Sequence, residues 1–265
     1  VNTDLTEAET KFANAWLTKH GVLISPLPRM LAVRLGARDV KPSRLVLNRW
    51  RAGGFLIGLL LAVAYHCLQY LPNVRGVEMT ESQGVYFIIG GTVVGFWLSI
   101  RGRERDLGGL PVSASVERPS WSKHLGGWYL ASLVITFAGG TALAVAMYVT
   151  TSARTYAWSW LGALAWGALC TAVILVGTWR APVIADDPAS ASVDAMLRVE
   201  DSFLAMPGYF AVLVLIDLVT THRQPPEFTW WLLGYAVLAF GTSAISALTY
   251  WRRVSPRAAT PNGPN

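Results

Sequence analysis

The amino-acid sequence predicts an all-α fold: a polytopic membrane protein with six transmembrane helices, N and C termini in the cytoplasm, and short amphipathic helices on the cytoplasmic face. Three observations predict it. Of the 265 residues, 53% are hydrophobic and only 14% are charged, whereas a soluble domain carries about 25% charged residues. The mean hydropathy is +0.39. Apolar runs of about 20 residues, long enough to cross a hydrocarbon core, recur along the chain, and the basic residues are shared unequally between the segments that separate them.

Residues 1–53 read as a cytoplasmic and membrane-surface segment. Its first part, DLTEAETKFANAWLTKH followed by Gly21, has acidic residues at the start, Lys19 and His20 at the end, and glycine beyond. That order suits the helix dipole and a glycine C-cap. Leu5, Ala8, Phe12 and Trp16 recur at helical steps and define its expected apolar face. Residues 22–36 (VLISPLPRMLAVRLG) are apolar but broken by Pro26 and Pro28. They are expected to lie on the inner membrane surface or to pack under the bundle. Residues 41–51 (KPSRLVLNRWR) carry Leu45, Leu47 and Trp50 among basic residues, a pattern of positive-inside flanking that also suits anionic headgroups.

The six-helix transmembrane domain, 54–251, comprises spans at 54–72, 84–100, 127–149, 156–179, 204–221 and 229–251. Tyr70, Trp97, Trp128, Tyr148, Trp158, Trp179, Trp230, Trp231 and Trp251 lie near span ends, where indole and phenol rings favour the headgroup layer. The loop 101–126, rich in Gly, Pro and Ser, is expected to have little regular structure. In the loop 180–203, Asp187 before Pro188 is a helix start. Val193, Met196 and Leu197 then continue an amphipathic helix towards the fifth span, with a break at Pro207-Gly208. Residues 252–265 are expected to form a disordered cytoplasmic tail.

Orientation follows from Lys and Arg. Segments on one side of the six spans hold 19 of the 22 basic residues and those on the other side hold three. The positive-inside rule places the rich side, with both termini, in the cytoplasm of a plasma membrane. About fifty residues, many of them polar, precede the first long apolar run, a pattern unlike a signal peptide. The excess of basic residues is thereby assigned to topology rather than to nucleic-acid binding.

Recognised catalytic patterns are absent: no P-loop, GxGxxG, GxSxG, HExxH or CxxC occurs. No cofactor, metal site or catalytic residue is predicted, and enzyme activity is not expected. Asp186, Asp187, Asp194, Glu200 and Asp201 lack the spacing of a calcium loop, so helix capping and solvation are expected to account for them. Cys67 and Cys170 fall at depths roughly 13 Å apart along the helix axes, too far for a disulfide, and both read as small buried apolar residues. Small residues at four-residue steps mark helix-packing faces: Gly58 and Ala62 in the first span, Gly91 and Gly95 in the second, and Thr136, Gly140 and Ala144 in the third. The Gly91/Gly95 face could meet another span or a second copy of the chain.

The candidate binding residues are His66, Gln69 and Asp217. Asp217 interrupts the run AVLVLIDLVTTH, four residues from the predicted outer end of the fifth span. Three readings are open. It reaches the outer interface and meets water or Arg223. It pairs with His66 and Gln69, whose depth nearly matches, and locks spans one and five. Or it forms a protonatable or substrate-binding site.

Six spans, internal termini, a surface-lying N-terminal stretch and a cytoplasmic loop after span two resemble the layout of six-span ABC exporter permeases. The resemblance covers topology and transfers no residue, and the outer loops lack the re-entrant helical segment that such permeases place before the last span. The Arg- and Ala-rich loops also resemble those of actinobacterial multi-pass membrane proteins. The resemblance implies a non-catalytic membrane subunit of a bacterial transport or export assembly. Its partners would be the lipid bilayer, a cytoplasmic ATPase subunit and, in an oligomer, further copies of the chain. The alternatives are a regulatory scaffold that captures a cytoplasmic partner and an autonomous small-molecule transporter.

Overall fold

A computed structural model describes residues 7–22, 27–36, 38, 45–74, 81–106, 121–185, 188–220 and 223–254. The described chain is built from helices. Two short helices come first, α1 (Glu7–Lys19) and α2 (Arg29–Gly36), followed by α3 (Leu45–Cys67) and α4 (Glu81–Asp106). Next come α5 (Trp121–Leu133), a π-helical segment (Val134–Gly139) and α6 (Gly140–Thr150). The remainder is α7 (Arg154–Arg180), α8 (Pro188–Leu204), α9 (Gly208–Thr220) and α10 (Thr229–Val254). Among the described residues six helical stretches are long and apolar enough to cross a membrane: 49–70, 84–102, 124–150, 154–180, 190–219 and 226–252. Each contains or overlaps one of the six predicted spans.

Glycine decides how α3 meets α4. A methyl group at Gly95 would lie 2.7 Å from the Trp50 carbonyl oxygen, and one at Gly58 would lie 2.6 Å from that of Phe87. At Gly54 and Gly91 the clash would be closer still, each against the other's carbonyl oxygen. The Gly91/Gly95 face is therefore filled by α3 of the same chain. Elsewhere α3 is largely exposed, with Leu56, Ile57, Leu60 and Val63 facing outward.

Aromatic rings fill the centre of the bundle. Tyr86, Trp160, Phe210 and Tyr235 pack with Ala144, Tyr156 and Leu232 in one buried cluster. Trp160 meets Phe210 edge-on at 5.3 Å between centroids and lies 5.7 Å from Tyr235. The small-residue stripe of the third span gives those rings access. Thr136 is fully buried, its carbonyl accepts from the Tyr235 hydroxyl at 2.8 Å, and a methyl group at Gly140 would sit 2.8 Å from that hydroxyl. Ala144 is buried in the same cluster, while Ala62 on α3 is only half-buried.

The fifth span breaks between α8 and α9, at Pro207. Proline cannot donate, and a break in an apolar setting leaves carbonyls that need partners. Here the Tyr129 hydroxyl donates to the Ser202 carbonyl at 2.7 Å, and the Thr171 hydroxyl donates to the Ala205 carbonyl at 3.3 Å. The break is thus held by side chains of the third and fourth spans.

Several expectations are corrected. The buried residues of α1 are Glu9, Ala13, Trp16 and Leu17, so the helix is rotated from the predicted face and Ala8 is exposed. The cause is Glu9, which packs so tightly on Gly36 that a methyl group there would lie 2.6 Å from Glu9 Cγ. Residues 29–36 pack under the bundle as α2, with Leu31, Val33 and Leu35 fully buried. The loop 101–126 is helical at both ends, because α4 runs to Asp106 and α5 begins at Trp121. Cys67 is exposed rather than buried, whereas Cys170 is buried. Leu5, Asp186, Asp187 and most of the tail lie outside the described residues.

The glycine contacts make a direct test. Gly91→Ala should lower the melting temperature in detergent, because its methyl group meets backbone. Gly162→Ala meets nothing within 4 Å and should leave the melt unchanged or raise it slightly, as expected for glycine in a helix interior. Equal behaviour of the two variants would refute the backbone-contact account of α3 and α4.

Candidate functional site

Where α1 and α2 fold onto the bundle, the chain buries an unusual amount of charge. Asp194 on α8 is held between two arginines. Arg34 donates from Nη2 to its Oδ1, and Arg198, one turn along α8, donates from Nε to its Oδ2 at 2.7 Å. Arg34 also donates from Nε to Glu104 at 3.0 Å and from Nη1 to the Ile184 carbonyl at 3.1 Å. Arg101 donates to the other oxygen of Glu104 at 2.8 Å and lies 3.5 Å from Asp201. Arg38 donates to both oxygens of Asp201, at 2.9 and 3.1 Å. Arg34, Glu104, Asp194, Arg198 and Asp201 are each no more than 4% exposed.

Arg198 has a second task. Its guanidinium donates to the carbonyls of Thr178, Ala181 and Pro182, at 2.7, 3.1 and 2.8 Å. These belong to the last turn of α7 and the residues just after it, where a helix leaves carbonyls unpaired and the dipole favours a cation. The network therefore closes the end of one span while anchoring α2 and α8.

Electrostatics inside the network are mutual. Burial pushes the Glu104 carboxyl up, but the guanidinium groups of Arg101, Arg34 and Arg38 outweigh it and hold the group down at about 2, against an ordinary 4.5. Burial likewise works against the charge of Arg34, and Glu104 and Asp194 more than restore it, raising its pKa. These charges are paid for by one another, which is the condition under which buried ions persist.

Beside the network lies a cavity of about 590 Å³, lined by α1, α4, α8, α9 and α10. Phe12, Phe203, Tyr209, Tyr250 and Trp251 supply apolar wall, and Arg38, Glu200 and Asp201 supply its charged end. Glu200 accepts from Trp16 Nε1 at 3.1 Å. It also lies 3.1 Å from His20 Nε2, a close contact without hydrogen-bond alignment. A second cavity, of about 600 Å³, sits at the opposite end of the bundle between α3, α4, α6 and α7, lined by Tyr65, Phe87, Tyr148, Arg154 and Trp158 among others.

The three residues singled out in the sequence do not form one site. His66 is exposed, and its Nε2 is 2.9 Å from Gln69 Nε2, a contact within one stretch of chain. Asp217 is 2% exposed and accepts from the Tyr156 hydroxyl of α7 at 3.0 Å. The structure thus joins Asp217 to the fourth span instead of coupling spans one and five through His66. A carboxylate this deeply buried also does not simply reach water at the interface.

The sequence reading missed the charge network. Asp194 and Asp201 were expected to be solvated or to cap helices; both are buried against arginines. A signal was present: Asp194, Arg198 and Asp201 stand at i, i+4 and i+7 on α8, on the same side of the helix as buried Val193 and Leu197. Among the described residues, no group of three His, Cys, Asp or Glu is placed to hold a metal ion. No family model, no curated protein and no solved structure matches the chain.

Asp194→Asn should cost on the order of 3–5 kcal/mol, the range for breaking a buried ion pair, read as a large drop in the detergent melting temperature. Glu200→Gln, on a side chain that keeps 21% of its surface exposed, should cost much less. Glu104 has a depressed folded-state pKa, so its contribution is complete above the ordinary carboxylate value of 4.5 and is lost as pH falls toward about 2. The stability gap between the native chain and Glu104→Gln should close across that window, and a pH-independent gap would contradict the assignment. Asp217→Asn and Tyr156→Phe should be non-additive in a double-mutant cycle, while His66→Ala should leave the melt unchanged.

Proposed function

We propose that the chain is a non-catalytic membrane subunit of a bacterial transport or export assembly, and that it receives a cytoplasmic ATPase subunit on the face formed by α1, α2 and α8. The observation that carries this reading is the buried charge network. It holds α2 under the bundle, and α1 packs on α2 and α8 through Ala13, Leu17, Leu31 and Val193, which together give the fixed surface that a docking partner needs in order to transmit force. The basic-residue bias supports a cytoplasmic position for this face. On the opposite side the connections are short, which leaves little to recognise there. The outward face of α1, with Lys11, Asn14, Thr18 and Lys19 exposed, is polar and suits a partner that comes and goes rather than a permanent apolar seam.

A scaffold that captures a partner other than an ATPase is the second reading, and the same face would serve it. An autonomous transporter built on His66 and Asp217 loses its motive, because those residues have separate partners.

The test is purification in mild detergent from native membranes with identification of what accompanies the chain. A stoichiometric nucleotide-hydrolysing subunit is the expected result. Lys11→Glu combined with Asn14→Glu, both exposed on α1, should release it without lowering the chain's melting temperature. A different protein in constant ratio would favour the scaffold, and a chain that arrives alone would overturn both docking readings.

A further inference from the structure

The cavity of about 600 Å³ at the end of the bundle away from the charge network lies in a gap that the helix packing leaves. α3 joins the bundle through its glycine seam with α4, and α7 packs on α4 and α6. The Phe87 ring of α4 stands between α3 and α7, 5.6 Å from the Tyr65 ring and 6.1 Å from the Trp166 ring by centroids. The result is a trough with α3 and α7 as its sides. On α3 the lining residues Leu61, Ala64, Tyr65 and Leu68 recur at three- and four-residue steps, and on α7 Arg154, Trp158 and Gly162 do so at four. Each set is one helix face, so the trough runs along the helices. From Arg154 to Gly162 the helix rises about 12 Å.

Its two ends differ in chemistry. Leu61, Ala64 and Gly162 lie deeper along their spans and are apolar, whereas Asn73, Arg154 and Thr155 lie at the span ends and are polar. Arg154 is exposed and is the single charged residue of the lining, which among the described residues holds no Asp or Glu. Its guanidinium lies 5.6 Å from the centroid of the Tyr148 ring, and among the described residues no carboxylate pairs with it. A ring face offers no lone pair to the guanidinium's N–H groups, which stay available to an oxyanion. Arg154 also stands on the side of the bundle that holds three of the 22 basic residues, so the bias that sets topology does not account for it. Leu68, Leu71 and Trp158 border the trough and are exposed, which leaves it open sideways to the bilayer.

We propose that this trough seats one anionic glycerophospholipid, its phosphate accepting from the Arg154 guanidinium and one acyl chain lying along Leu61, Ala64, Phe87 and Gly162. Arginine and phosphate make a charge-assisted, two-pronged pair. A zwitterionic headgroup brings its own ammonium to its phosphate and so matches an unpaired arginine less well. The volume falls within the range of ligand sites, roughly 300–1,000 Å³. A lipid held here bridges α3 to α7 and stabilises the folded chain in proportion to occupancy. The proposal is independent of the docking reading, which concerns the other end of the bundle.

The experiment is delipidation of the detergent-purified chain, then native mass spectrometry and thermal melting with added phosphatidylglycerol, phosphatidylcholine or inorganic phosphate. The expected result is retention of one phosphatidylglycerol per chain with a raised melting temperature, and weaker retention of phosphatidylcholine. Arg154→Gln should weaken phosphatidylglycerol retention roughly ten-fold, the scale of one charge-assisted hydrogen bond, and remove the preference between the two lipids. A side chain at Gly162 meets nothing within 4 Å at its first carbon, so Gly162→Phe fills the trough without striking the bundle and should abolish retention of both. Lipid-free, both variants should melt as the native chain does. Equal retention of the two lipids by the native chain, or undiminished retention by either variant, would overturn the proposal. So would full stabilisation by inorganic phosphate alone, or a pair of chains in place of a chain with its lipid.

Discussion

Asp194 between Arg34 and Arg198 is the contact on which the rest of this end of the molecule depends. Arg34 carries α2, Arg198 closes α7, and Asp194 is the only group that touches both guanidiniums in the hydrogen bonds described above. A buried ion pair gains little over apolar residues of the same shape, because desolvation consumes most of the attraction. Its effect is asymmetric: each member is tolerable only while the others are in place. That asymmetry makes the arrangement of α2, α4, α7 and α8 close to all-or-none. Neighbouring apolar contacts, among them Leu31, Leu35, Val193 and Leu197, add adhesion but would tolerate sliding that the charges do not.

The bundle itself obeys a different constraint. Lipid supplies no hydrophobic drive between helices, so close approach and side-chain hydrogen bonds must hold them. The α3–α4 pair uses glycine backbone against glycine backbone. The centre uses rings. Tryptophan and tyrosine donors then tie span to span: Trp97 to Thr178 at 3.0 Å, Trp179 to Ser202 at 3.0 Å, and Trp166 to the Phe87 carbonyl at 3.2 Å. The Tyr156–Asp217 bond belongs to the same class, a polar pair sheltered between α7 and α9.

How much of this could be read in advance depended on how local the signal was. The spans were legible because length and hydropathy are properties of one segment. The start of α8 and the break at Pro207 were legible because proline acts on its own backbone. The face of α1 was misread because Glu9 is buried, which no amphipathic pattern predicts. Asp194 and Asp201 were assigned to solvent or caps because Arg34 and Arg38 lie more than 150 residues away in sequence, although the pairing of Asp194 with Arg198 was visible in the spacing along α8. Asp217 drew attention as an acid in an apolar run, but the hydrogen bond described for it comes from a tyrosine of the preceding span, and phenols near span ends were read only as depth markers.

The long reach of Arg34 has a consequence for biogenesis. The residues that bind it are made in order: Glu104 follows it by 70 positions, and Ile184 and Asp194 by 150 and 160. At about 5–20 residues per second, Arg34 is synthesised roughly 8 to 30 seconds before Asp194 exists. During that interval the four spans between them are synthesised, while α2 can find only part of its seat. α2 is thus translated before its partners and locked late. A ribosome that stops before α8 would leave that helix outside the finished fold, giving quality-control proteases a clear mark of an incomplete chain.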